Sequence, residues 1–216
     1  MIRAVAFDLD GVIISSEEVW DEVRRDLVRE RSGRWQPEGQ LRMMGMSTPE
    51  WTAYMHEELG LDLSPPEIAA EVSRLLAERY RRRLPLLPGA VDSVRAASAR
   101  WPLAVASSSP QELIELVLEL AGIREDFTVV LSSEQVPRGK PAPDVYLAVL
   151  ERLRVPAAAA AAVEDSASGI KAARAAGMRV VAIPNRVYPP GPEALALADV
   201  VLRDATELTP AVLAGE

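Results

Sequence analysis

The 216-residue chain contains no cysteine. That excludes a disulfide frame, a thiolate metal site and a cysteine nucleophile. Positive charge is also scarce: 24 Lys and Arg stand against 32 Asp and Glu, for a net charge of −8. A nucleic-acid surface needs clustered Lys and Arg in excess, so no nucleic-acid partner is expected. No apolar run of about 18 residues is free of charge, so no membrane span is expected. The first residues run straight into an apolar stretch, which leaves no room for a signal peptide. These absences lead to the expectation of a soluble, cytoplasmic protein. Histidine occurs once, at His56 beside Glu57 and Glu58, where a surface position is expected. What is present is ordinary globular material, 49% apolar and 26% charged, long enough for one domain with a sizeable insertion.

The chain is organised around Arg3-Ala4-Val5-Ala6-Phe7-Asp8-Leu9-Asp10-Gly11-Val12. So short an apolar run reads as a buried strand of a parallel sheet. It ends in two carboxylates, Asp8 and Asp10, followed by a glycine that permits a sharp turn. Open α/β sheets bind ligands at the C-terminal ends of such strands. Taken alone, the two acids could equally cap the turn before the next helix.

From Glu17 to about Arg31 the apolar residues Val19, Trp20, Val23, Leu27 and Val28 fall at helical spacing. No strand is convincing between Pro37 and Arg83. Ser64-Pro65-Pro66-Glu67 carries a helix start, with a Ser N-cap, proline in the first turn and an acid at the third position. Residues 16–83 therefore read as an all-helical unit inserted after the first strand. From Pro88 onward helices alternate with short strands at Leu103–Ser107, Thr128–Ser132, Ala161–Val163, Val180–Ile183 and, more weakly, Val200–Leu202, with a terminal helix near Leu208. The six alanines after Pro156 favour helix by propensity, but the alternation requires a strand there. The expected fold is α/β, a doubly wound parallel sheet of Rossmann type formed by residues 1–15 and 84–216, with residues 16–83 as a helical cap.

The strand ends form a chemical set. Strand one supplies Asp8 and Asp10, strand two Ser107-Ser108-Ser109, the turn after strand three Lys140, and strand four Glu164 and Asp165. In a parallel sheet all of these lie on one edge. Two like charges about 4 Å apart repel by roughly 4 kcal/mol at an effective dielectric near 20. Four carboxylates facing one pocket must therefore take up protons or share a divalent cation. An oxygen-only site with few protein ligands suits magnesium, which keeps waters and takes phosphate oxygens. Lys140, the Ser107 hydroxyl and the turn around Gly11, Ser108 and Ser109 offer contacts for an anion beside it. The combination points to phosphoryl transfer.

These residues also carry a resemblance. Asp8-Leu9-Asp10-Gly11-Val12, then Ser107, Lys140-Pro141 and Glu164-Asp165-Ser166-Ala167-Ser168-Gly169, in that order, resemble the four motifs of the haloacid dehalogenase-like hydrolase superfamily. The helical insertion resembles its helical-cap subclass, which includes beta-phosphoglucomutase-like phosphatases. The resemblance implies that Asp8 is a nucleophile forming an aspartyl phosphate. It implies that Asp10 is the acid and base and ligates the metal through its backbone carbonyl. Asp165 would be a metal ligand, with Glu164 binding directly or through water, and Ser107 and Lys140 would hold the transferring group.

Three other readings compete. A phosphosugar mutase of this group would carry a cap histidine, lysine and arginine where this chain has Trp20, Met44 and Thr48. A metal-independent dehalogenase would need neither Asp10 nor the Glu164-Asp165 pair. A phospho-receiver module would be about half this length and lack the insertion. The favoured reading is a magnesium-dependent phosphatase acting on a small phosphorylated metabolite. Trp20, Met44, Met46 and Thr48 are the candidate cap contacts for a weakly charged leaving group. Nothing marks a subunit interface, so a monomer is expected.

Overall fold

The computed structural model describes residues 1–44 and 46–216. They divide into two compact units, Met1–Ser15 with Leu84–Glu216, and Ser16–Arg83. The first unit opens with strand β1 (Ala4–Phe7), the second holds helices α1 (Glu17–Glu30), α2 (Gly39–Met43), α3 (Thr48–Glu57) and α4 (Pro65–Arg82). The first unit then resumes with α5 (Ala90–Ser98), β2 (Leu103–Ser107), α6 (Gln111–Leu120), β3 (Phe127–Ser132), α7 (Asp144–Leu153) and β4 (Ala160–Glu164). It closes with α8 (Ala167–Ala175), β5 (Arg179–Ala182), α9 (Pro192–Leu195), β6 (Val200–Val201) and α10 (Pro210–Ala214).

Among the described residues the strands form one sheet in the order β3-β2-β1-β4-β5-β6, parallel at every pairing. The fold is thus the doubly wound α/β architecture read from the sequence, with β1 central. One face of the sheet is lined by small side chains at alternate positions: Ala4 and Ala6, Ala104 and Ala106, Ala160 and Ala162, and Ala182. Alternation places these on a single side, where α7 and α8 pack through Tyr146, Val149, Ile170 and Ala173. Alanine in the sheet lets the helices lie close, so the long side chain of Tyr146 extends to the strand ends. The alanine run resolves accordingly: Ala157–Ala159 make a 3-10 turn and Ala160 enters β4. Burial between sheet neighbours wins there over helix propensity. The terminal helix starts at Pro210, capped by Thr209, slightly later than the pattern near Leu208 indicated.

In the helical unit, α3 and α4 both begin with a capping box, Ser47 with Glu50 and Ser64 with Glu67. Each serine hydroxyl and each acid satisfies a helix-start N–H that would otherwise lack a partner. Val23, Leu27 and Val28 of α1, Trp51 and Met55 of α3, and Ile68, Val72 and Leu76 of α4 are buried. Arg79 of α4 ties to α1 through Glu22 and Asp26, each at 3.2 Å.

Candidate active site

β1 ends at Phe7, and the amide of Asp8 donates to the carbonyl of Val163 on β4 at 3.0 Å. This last rung holds Asp8 level with the end of β4, where Glu164 and Asp165 follow. Oxygens of Asp8, Glu164 and Asp165 all lie within 4.8 Å of one another, and all three residues are buried. Lys140 enters the same cluster, its ammonium 3.0 Å from Asp8 Oδ1 and 2.6 Å from Glu164 Oε1. Tyr146 donates its hydroxyl to that same Glu164 oxygen at 2.5 Å. Asn185, beyond the end of β5, donates its side-chain amide to Asp165 Oδ2 at 3.1 Å.

Two glycines make room for this packing. A Cβ on Gly11, whose φ is +74°, would lie 1.8 Å from Asp165 Oδ2, and one on Gly169 would lie 1.9 Å from Glu164 Oε2. No larger residue fits either place without displacing a carboxylate. Gly169 also lies in the first turn of α8, where its N–H donates to the capping hydroxyl of Ser166 at 3.1 Å.

The electrostatics follow from burial. Asp8 is pushed up to about 8, first by burial, with Glu164 and Asp10 adding to the rise and Lys140 opposing it. Burial pulls Lys140 down, but Asp8 and Glu164 outweigh it and hold the ammonium above its ordinary range. Burial, and next the Glu164 charge, hold the Tyr146 phenol well above its usual value and so keep it a donor. One lysine faces three buried carboxylates, so the cluster lacks positive charge. An all-oxygen donor set with that deficit fits a hard divalent cation. Asp8, Glu164 and Asp165 could hold such an ion.

Asp10 is arranged differently. Its Oδ2 accepts from Ser109 Oγ at 2.6 Å and from Ser107 Oγ at 3.4 Å. The structure therefore gathers three of the four strand-end carboxylates and turns the fourth toward Ser107 at the end of β2 and Ser109 just beyond it. The remaining sequence candidates fall as follows. The Gly11 N–H donates to the Ile14 carbonyl at 2.7 Å, so it serves the turn, and this glycine's contribution is space for Asp165. The Ser109 N–H donates to Ser107 Oγ at 3.0 Å, so the N–H and the hydroxyl of Ser109 both face protein atoms. Ser108 is exposed at the end of β2. Trp20, Met44, Met46 and Thr48 all belong to the helical unit and are half-buried there. Trp20 packs edge-on to Trp51 with ring centroids 6.1 Å apart, and Thr48 opens α3.

Sequence reasoning missed Tyr146 and Asn185. The strand-end rule that found Glu164 and Asp165 would have found Asn185, had it been applied to β5. Beside Gly11, a cavity of about 180 Å³ is lined by Ser15, Asn185, Arg186, Asp204 and Thr206.

Comparison with known proteins gives a consistent picture. Residues 2–177 match the family model described as haloacid dehalogenase-like hydrolase. The chain is 32% identical to hexitol phosphatase B of Escherichia coli strain K12, covering 99% of this chain and 97% of that protein. It is 32% identical to the phosphorylated carbohydrates phosphatase of Thermotoga maritima over 82% of each. Among solved structures, CbbY from Rhodobacter sphaeroides in complex with phosphate aligns with a TM-score of 0.89 and 28% identity, covering 99% of this chain and 100% of that one.

Proposed function

The chain belongs to the haloacid dehalogenase-like hydrolase family, and from that premise we propose that it is a magnesium-dependent phosphatase acting on small organic phosphate monoesters. The observation that carries this reading is the buried cluster in which Lys140 bridges Asp8 and Glu164 while Asp165 lies within 4.8 Å. Asp8 is the nucleophile. Its carboxylate oxygen bonds to phosphorus as the ester P–O bond breaks, and the leaving oxygen takes a proton from Asp10. In the second half, Asp10 takes a proton from water, whose oxygen attacks phosphorus and releases the Asp8 carboxylate with inorganic phosphate. Lys140 keeps Asp8 oriented and favours its charged form, and Ser107 contacts the transferring group.

Asp8, Asp165 and the Asp10 carbonyl would hold the magnesium ion, with Glu164 binding directly or through water. Glu164, whose Oε1 already takes Lys140 and Tyr146, serves foremost as the counter-charge of the lysine. When bound, the ion neutralises the nucleophile and the phosphoryl oxygens that repel it. Residues 1–15 and 84–216 act as the catalytic core and residues 16–83 as a cap that sets specificity. The names of the relatives, a hexitol phosphatase and a phosphorylated carbohydrates phosphatase, support a sugar or polyol phosphate as the substrate class. Among the described residues no helix is long and apolar enough to cross a membrane, in keeping with a cytoplasmic metabolite enzyme.

The test is phosphate release from p-nitrophenyl phosphate with magnesium and with excess chelator. Release only with magnesium is expected. Equal turnover in chelator would remove the ion from the reaction. A screen of phosphorylated sugars, scored for free phosphate against isomerised product, separates phosphatase from mutase.

A further inference from the structure

Asp10, the proposed acid and base, is fixed by hydroxyls rather than by a cation. Ser109, buried at the turn after β2, donates to Asp10 Oδ2 at 2.6 Å, and Ser107 donates to the same oxygen at 3.4 Å. The shorter bond is the better one by ordinary hydroxyl geometry. Ser107 is also engaged as an acceptor by the N–H of Ser109 at 3.0 Å. Ser109 is itself held from the next strand, where the hydroxyl of Ser132 donates to the Ser109 carbonyl at 2.7 Å. Ser132 pairs in register with Ser107 and is fully buried. A chain of hydrogen bonds thus runs from β3 through Ser109 to one oxygen of Asp10. The other oxygen, Oδ1, is buried and has no hydrogen-bond partner among the described residues.

We propose that Ser109 is the positioning residue for Asp10, and that by occupying Oδ2 it leaves Oδ1 as the atom that delivers and recovers the transferred proton. The sequence placed Ser109 among substrate contacts, and the structure assigns it instead to the protein's own carboxylate. This inference rests on the phosphatase reading above. During formation of the aspartyl phosphate, the ester P–O bond breaks and its electron pair stays on the leaving oxygen. That oxygen is protonated from Asp10 Oδ1, leaving Asp10 ionised with Ser109 still donating to Oδ2. Serine at this place matters because a carboxylate free to rotate would present either oxygen, or neither, to the leaving group.

Leaving-group dependence separates positioning from substrate grip. With p-nitrophenyl phosphate the leaving phenolate is stable without a proton, whereas phenyl phosphate needs one in the transition state. Both esters have the same ring and the same phosphoryl group. The measurement is kcat/KM with magnesium for both, which reports the steps up to aspartyl phosphate formation. Ser109→Ala is expected to lower the ratio of phenyl to p-nitrophenyl turnover by about tenfold, a part of the 10²–10⁴ that general acids contribute. Ser109→Thr, which keeps the hydroxyl, is expected to restore the wild-type ratio. Ser132→Ala should shift the ratio in the same direction by less.

Should the alanine variant fail to fold, Ser109→Cys repeats the comparison with a near-isosteric but weak donor, and the same selective loss is expected. Equal losses on both esters would make Ser109 a substrate contact or a mere packing residue, and would overturn the assignment while leaving the phosphatase reading in place. A wild-type protein that hydrolyses neither ester with magnesium overturns both.

Discussion

In the α/β unit, Lys140 is buried against two carboxylates, Asp8 at 3.0 Å and Glu164 at 2.6 Å. In the helical unit, Arg24 is buried just as deeply, but its guanidinium lies over the faces of Trp20 and Trp51, 4.5 and 4.8 Å from their centroids. Its side-chain hydrogen-bond partner is neutral, Gln40 at 3.1 Å. Burial pulls Arg24 down to about 9, with the Asp21 charge opposing, and pushes Asp8 up to about 8. The same desolvation acts in both places, and the surroundings answer it differently. Arg24 is met by aromatic quadrupoles and an amide, although its Nε has no hydrogen-bond partner among the described residues, and it works as a staple between α1, α2 and α3. The Lys140 cluster stays short of positive charge even with its lysine in place. A lone buried cation packed on aromatic faces is structure; a buried cluster of like charges that one counter-ion does not balance is a place for chemistry.

That contrast can be broken by mutation. Lys140→Met leaves buried carboxylates without their counter-ion. It should abolish measurable turnover and lower stability by about 3 kcal/mol in denaturant melts. Magnesium should recover part of the stability but not the activity. Unchanged stability in the metal-free protein would mean that the carboxylates are not charged in the fold. Gly169→Ala comes next. Its methyl would enter the space of the Glu164 carboxylate, at 1.9 Å from Oε2, and push that group from Lys140 and Tyr146. A loss of about 2 kcal/mol with a marked drop in turnover is expected. Wild-type behaviour would show that Glu164 has room to move.

Arg24→Met removes a cation but orphans no opposite charge, so a smaller loss of about 1–2 kcal/mol is expected. A loss matching that of Lys140→Met would erase the distinction between the two sites. The smallest effect is at the helix starts. Ser64→Ala should cost about 1 kcal/mol through the lost cap. Hydrogen bonds from the Ser64 side chain and backbone hold Glu67 below its ordinary value of 4.5. The stability Glu67 contributes is therefore present above that value and lost as pH falls through its lower, folded-state one. In Ser64→Ala this part of the acid sensitivity should shrink, as read from thermal melts between pH 6 and pH 3.

The fold was legible because β1, β2 and β4 are short apolar runs that end in polar residues, and because helices separate them at steady intervals. The alanines at Ala160–Ala162 were readable only through that alternation, since their own propensity points to helix. The identity of the strand-end residues was legible for the same reason: a parallel sheet puts every C-terminal end on one edge. Which way each side chain turns was not. Spacing alone cannot say that Asp10 Oδ2 meets Ser109 while Asp8 meets Lys140, because that depends on rotamers set by the whole rim. Tyr146 was hidden because, at this helix position, an aromatic reads as core packing. Only the small face of the sheet brings its hydroxyl to Glu164.

The central claim is that Asp8, buried in a cluster completed by a divalent cation, attacks phosphorus. The most direct measurement traps the intermediate: the protein is quenched during turnover of p-nitrophenyl phosphate, and borohydride reduces any aspartyl phosphate to homoserine, located by peptide mass spectrometry. The account predicts homoserine at position 8 when magnesium is present and unmodified Asp8 in chelator. Steady phosphate release with label at another residue, or label at Asp8 undiminished by chelator, would contradict it.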